Sequence, residues 1–228
     1  MNSAGARTSG SGFVLNSTAS QSWILTSYQL IAGSVAAAQA ASASLAAQPP
    51  ANPFAGITGT ETASPSPVAI PPPPTAIVNV AGADHSGTVY TWDAADNLAM
   101  IIVYVGNVPA LQFSNEVAVP GLNVWAVSAA GGQYGATAAA GQVVSNGGHS
   151  VSTSAAFGPQ ATGGPLVDQK GDVVGVLYVP PPPTPSPAAS GARASPTPSP
   201  SPSPTATTPA GLAIPVHLAC VRVIVCPH

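Results

Sequence analysis

The chain has 228 residues, enough for one large domain or two small ones with a sizeable core. With 4 Lys+Arg against 7 Asp+Glu, a net charge of -3 and 5% charged residues, it has no basic surface to neutralise a run of phosphates, which excludes nucleic acid as a partner. Its strongest apolar run, Leu98 to Val105, is far shorter than the roughly 20 residues of a membrane-spanning helix, so no membrane span is predicted.

Met1 is followed by Asn-Ser-Ala-Gly-Ala-Arg-Thr-Ser, which shows neither a signal-peptide apolar core nor a strand pattern. Short runs rich in Val, Ile and aromatics then begin at residues 11–16 (SGFVLN) and 22–27 (SWILTS). Alanine dominates residues 34–47, where propensity predicts the one clear helix. Residues 48–76 carry 9 of the 27 prolines and cannot form core strands, because proline lacks the amide hydrogen a ladder needs.

Strand-like runs resume at 76–82, 87–92, 98–105, 122–129, 141–146, 164–169 and 172–179, separated by Gly, Asn, Asp or Ser. Between the last two, Asp168-Gln169-Lys170-Gly171 has the Asp and Gly positions of a type I turn and predicts a hairpin. Residues 180–209 carry 12 more prolines in a Ser/Thr/Pro tract of the kind common in exported or surface proteins. Both proline-rich stretches read as loop insertions. A final run, 211–216, is followed by VHLACVRVIV, whose β-branched residues favour strand while its place at the end would suit a helix. Ten strand-like segments point to an all-β protein built as barrels or a sandwich.

Cys220 and Cys226 are six apart, about 20 Å on one strand at roughly 3.3 Å per residue, so separate buried thiols are expected rather than a bridge unless the chain turns between them. Four scattered histidines and two cysteines show no ligand spacing, so neither a metal nor another cofactor is predicted.

Four segments, in order, resemble the landmarks of the trypsin-like serine proteases, particularly the bacterial HtrA (Deg) branch. They are GSGFVL at 10–15, WILTSYQLIAG at 23–33, DAADNLAMIIV at 93–103 and QATGGPLVDQKGDVVGV at 160–176, and GLAIPV at 211–216 is similar to the family's last barrel strand. The resemblance implies two antiparallel six-stranded-type β-barrels, at 10–119 and 120–228, carrying the 48–76 and 180–209 insertions. It also implies a first barrel short of its first strand: either the start lies upstream or another segment fills the gap.

By the same resemblance, the catalytic histidine, aspartate and serine positions fall on Gln29, Asn97 and Thr162, and the oxyanion-hole glycine falls on Gln160. In that chemistry a hydroxyl attacks the peptide carbonyl while imidazole takes its proton. A glutamine amide cannot accept a proton near neutral pH, so nucleophilic attack should fail. Asp96 is no substitute for Asn97, because a one-residue shift reverses the side chain's direction. His85, His149, His217 and His228 lie away from the histidine position. The expectation is therefore an inactive protease homologue, not an enzyme, with a peptide or protein partner in the inter-barrel cleft and an extracytoplasmic or cell-surface bacterial location. The alternatives are a serine-type endopeptidase with an unorthodox site and a non-catalytic surface or structural module.

Overall fold

Two short apolar runs open the fold as a hairpin, β1 (Gly12–Ser17) against β2 (Ser22–Ser27). The computed structural model describes residues 8–46, 73–129, 135–180 and 211–223. Alternation sends Phe13 and Leu25 to one face of this hairpin and Val14 and Ile24 to the other. Helix α1 (Tyr28–Ala46) follows β2 directly and so begins six residues before the alanine-rich tract expected to form it. The early start is a tertiary effect: Ile31 and Val35, one turn apart, are buried in the same cluster as Ile24.

Three further strands complete the first sheet: β3 (Thr75–Val80), β4 (Ala83–Asp93) and β5 (Leu98–Val103), in the antiparallel order β1-β2-β5-β4-β3. The rest of the strands close a barrel, with β6 (Asn123–Ala129), β7 (Ala136–Asn146), β8 (Val151–Thr153), β9 (Pro165–Val167), β10 (Val173–Tyr178) and β11 (Gly211–Pro215) in the order β10-β11-β8-β7-β6-β9. Gly171 N–H donates to Asp168 O at 3.0 Å, the turn expected between β9 and β10. The strand β8 had no sequence signal, being three residues long and mostly polar; it is held by pairing with both β7 and β11.

Connectivity relates the two halves. The β1–β2 hairpin matches β7–β8, the β3-β4-β5 meander matches β9-β10-β11, and the β2–β5 pairing matches β8–β11. Among the described residues the first sheet has no counterpart of β6, which in the barrel pairs with both β7 and β9. Ile31 and Val35 of α1 cover the sheet's inner face instead, and Leu111 N–H bonds Val14 O on the outer side of β1.

The opposite face of the sheet, with Phe13, Leu25, Leu98 and Met100, packs on Val173, Val176 and Ile214 of the barrel. Each of these large side chains contributes roughly 1.5–3 kcal/mol when fully buried, so the two halves are joined by an apolar seam. Helix α2 (Val216–Arg222) adds Val216 and Ala219 to that seam, so the first seven residues of the ambiguous final run are helical. Cys220 on α2 is disulfide-bonded, which corrects the expectation of buried thiols. That expectation placed both cysteines on one extended strand, whereas Cys220 lies on a helix. The proline-rich stretches 48–76 and 180–209 lie almost wholly outside the described residues.

Candidate functional site

The loop from Gly158 to Gly164 lies against the start of β1. Pro159 presets the φ of a 3-10 turn, Pro159–Ala161, in which Ala161 N–H donates to Gly158 O at 3.0 Å and Thr162 N–H donates to Pro159 O at 3.1 Å. Thr162 is 2% exposed. The next residue, Gly163, has φ +86, and a Cβ there would lie 2.2 Å from Ser11 O and 2.3 Å from Thr26 Oγ1. Both the backbone conformation and the space therefore demand glycine, independently of any chemistry.

Ser11 is the hub that fixes this loop. Its hydroxyl donates to Gln160 O at 2.7 Å and accepts from Ala129 N–H at 3.0 Å, while its own N–H donates to Thr162 O at 2.7 Å. Its carbonyl accepts the Thr26 hydroxyl at 2.7 Å. One serine thus ties the sheet's first two strands to the barrel loop. The sequence placed Ser11 in a motif but gave it no role, because its partners lie far along the chain.

Gln29 and Asn97 meet at the N-terminus of α1. The connection between β4 and β5 is organised by Asp93, whose Oδ1 accepts the N–H groups of Ala95 and Asp96 at 2.8 and 2.9 Å. Asn97 then takes φ +52, a conformation asparagine tolerates better than most residues. Its Oδ1 accepts Gln29 N–H at 2.9 Å and the Ser27 hydroxyl at 3.0 Å, and its carbonyl accepts Tyr28 N–H at 3.1 Å. A helix leaves its first four N–H groups without internal partners, and Asn97 satisfies those of Tyr28 and Gln29 from another element.

The Gln29 carboxamide reaches the barrel: Nε2 donates to Val179 O at 3.3 Å, just beyond β10. Thr162 joins the same junction by its backbone and its neighbour, since Gly163 N–H bonds Leu177 O at 2.8 Å, two residues before Val179. Among the described residues no hydrogen bond joins the Thr162 side chain to Gln29. Gln160 is exposed at the outer side of the 3-10 turn, with its carbonyl held by Ser11.

Asp96 and Asn97 diverge within the turn, where Asn97 has positive φ. Asn97 reaches Ser27 and Gln29, whereas Asp96 bonds His149 Nδ1 at 3.3 Å in the β7–β8 connection. That imidazole is 78% exposed while the carboxylate is 8% exposed. The pair bridges the two halves, and nothing in the sequence signalled it across 53 residues. A second buried carboxylate, Asp168, lies in the β9–β10 turn. Burial pushes its pKa up, but the N–H of Lys170, the Ser114 hydroxyl, the N–H of Asp172 and the Lys170 charge outweigh it, and the net shift is downward.

The chemistry open to Gln29, Asn97 and Thr162 follows from their functional groups. Two carboxamides and a hydroxyl include no proton acceptor at neutral pH and no charge to hold one. A peptide carbonyl turning tetrahedral needs converging N–H donors, and the Thr162 N–H is directed to Pro159 O. Among the described residues no group of His, Cys, Asp or Glu side chains is arranged to hold a metal ion, and no helix is long and apolar enough to cross a membrane.

The two-halved β architecture and this junction define a class. The family profile of the trypsin-like peptidase domain matches residues 10–176, and the chain belongs to that family. Its structure is similar to a serine endoprotease from Yersinia pestis, at TM-score 0.58 and 18% identity over 96% of this chain, which spans 58% of the Yersinia chain. It is similar also to an inactive form of the Rv3671c protease, at TM-score 0.56 and 18% identity over 94% of this chain and 81% of that one. A further structure of that protein, from M. tuberculosis H37Rv, aligns at TM-score 0.55 and 17% identity over 94% of this chain and 79% of the other. No curated protein matches the chain.

Proposed function

We propose that this chain is a catalytically inactive trypsin-like protease homologue that binds extended peptide or protein segments in the cleft between its halves. The observation that carries the reading is Gln29: the residue in the place of the general base is a neutral amide that donates to Val179 O. A donor in that place leaves the Thr162 hydroxyl without an acceptor for its proton, and nucleophilic attack on a carbonyl does not proceed from a neutral alcohol at a useful rate. The direction of the Thr162 N–H toward Pro159 O supports the same reading, because the loss of one oxyanion donor lowers turnover about 100- to 1000-fold.

An extracytoplasmic site of action fits the disulfide at Cys220, since such bonds persist in oxidising compartments, and fits the Ser/Thr/Pro tract. The test is incubation with a diverse peptide library, reading cleavage by mass spectrometry and binding by affinity selection. The proposal expects saturable binding of a subset and no cleavage. Site-specific cleavage abolished by Thr162→Ala would establish the peptidase alternative, and absence of any saturable binding would establish the structural-module alternative.

A further inference from the structure

The edge of β10 ends in a backbone position whose acceptor is already taken by a side chain of this same chain. Leu177 turns both backbone groups toward the Gly163-Gly164 side: its carbonyl accepts Gly163 N–H at 2.8 Å and its N–H donates to Gly164 O at 2.8 Å. The other edge of the strand, through Tyr178↔Leu212, belongs to β11. In an extended chain, residues two apart present their backbone to the same side, so Val179 continues the row that Leu177 begins. Among the described residues no strand covers Val179 there; β9 begins at Pro165, opposite Val176. What meets the Val179 carbonyl is the Gln29 carboxamide, at 3.3 Å from the half-buried Gln29 side chain. The chain then runs into Pro180-Pro181, neither of which has an N–H to offer a partner.

We infer that Gln29 is a built-in competitor for the cleft: its side-chain amide stands in for the backbone N–H of an extended peptide at the Val179 carbonyl, so ligand binding requires its displacement. The inference rests on the peptide-binding reading and adds regulation to it. A row with one acceptor, and prolines immediately beyond, offers an incoming strand very few rungs, so a competitor on that one acceptor weighs heavily on affinity. Gln29 is well placed to release it. Its backbone is fixed independently by Asn97 Oδ1 at 2.9 Å, so the side chain can leave Val179 without disturbing the start of α1. The ligand class that fits is an extended segment with a backbone N–H at the contacting residue.

The probe is a fluorescein-labelled, acetylated Ala-Val-Thr-Val-Ala-Val peptide and a set of copies, each N-methylated at one residue, titrated by fluorescence anisotropy. The proteins are the full chain, Gln29→Met, which keeps length but cannot donate, and Gln29→Glu, whose carboxylate the Val179 carbonyl repels. Removing a long, weak hydrogen bond should tighten peptide binding by about two- to threefold in both variants. The copy methylated at the contacting residue should lose that gain. In the unmodified chain, the Gln29 side-chain NH2 signals in a 15N spectrum should shift as peptide saturates. Measurable binding with equal affinity in all three proteins overturns the competitor role and leaves the peptide-binding reading intact. No binding to any folded variant overturns both.

Discussion

Replacing Asn97 by alanine, glycine or aspartate separates its contributions: the first two both delete its side-chain acceptor, only alanine also carries the positive-φ cost, and aspartate keeps the acceptor while adding charge. Asn97→Ala deletes the acceptor for Gln29 N–H at 2.9 Å and for the Ser27 hydroxyl at 3.0 Å, and Ser27 is fully buried. Each such bond contributes about 0.5–1.5 kcal/mol net. Alanine must also adopt the φ of +52 found here, at a cost of about 1 kcal/mol. The expected destabilisation is therefore about 2–4 kcal/mol, which for a chain of this size lowers Tm by very roughly 5–15 °C. Asn97→Gly loses the same bonds without the positive-φ cost and should be about 1 kcal/mol less damaging than alanine. Asn97→Asp keeps both acceptors and adds a negative charge at the N-terminus of α1, worth about 0.3–1 kcal/mol, offset in part by Asp93 and Asp96 in the same connection. Urea denaturation at pH 7 with linear extrapolation gives the order Asp at or above wild type, then Gly, then Ala. An alanine variant within about 0.5 kcal/mol of wild type, or glycine worse than alanine, would refute the capping account.

Other consequences are equally direct. The Asp168 pKa is lowered in the folded state, so its contribution to stability is complete above the ordinary value of 3.8 and is lost as pH falls through the folded value; urea midpoints measured against pH should show this acid slope diminished in Asp168→Asn. Ser11→Ala removes the bonds to Gln160 O and from Ala129 N–H, costing about 2 kcal/mol, and hydrogen exchange should accelerate at Thr162 while the α1 interior is unchanged. Thr162→Ser alone should give no labelling by a fluorophosphonate probe, since serine still lacks a base. The combination of Gln29→His, Asn97→Asp, Thr162→Ser and Gln160→Gly is the smallest set expected to yield any labelling, and weak labelling at that, because the groups must be held within about 0.5 Å of working geometry.

Strands were legible where alternation is strong and breakers are close. β2 coincides with the run SWILTS, and β5, β6, β10 and β11 fall within one or two residues of the runs that announced them. The helix start was not legible, because Tyr28-Gln29-Leu30 continues an apolar strand pattern and the cap that turns it helical comes from Asn97, 68 residues away. The same physics hid Ser11: a small polar residue between glycines shows its role only when four partners from other elements converge on it. In the β4–β5 connection Asp96 reaches His149 and Asn97 reaches Gln29, a divergence set by the turn and by the positive φ of Asn97. The disulfide at Cys220 escaped because the spacing was read on one extended strand, whereas Cys220 lies on α2, whose Val216 and Ala219 are buried in the same seam as Phe13 and Leu98.

Whether an activated hydroxyl exists at the junction of Gln29, Asn97 and Thr162 is decided by exposing the unmodified, folded chain to a fluorophosphonate probe beside an active trypsin control. Only a hydroxyl whose proton is being removed reacts with such a reagent. With Gln29 donating to Val179 O and the Thr162 N–H bonded to Pro159 O, no adduct is expected by intact-mass measurement. A stoichiometric adduct that peptide mapping places on Thr162, and that Thr162→Ala abolishes, would contradict it.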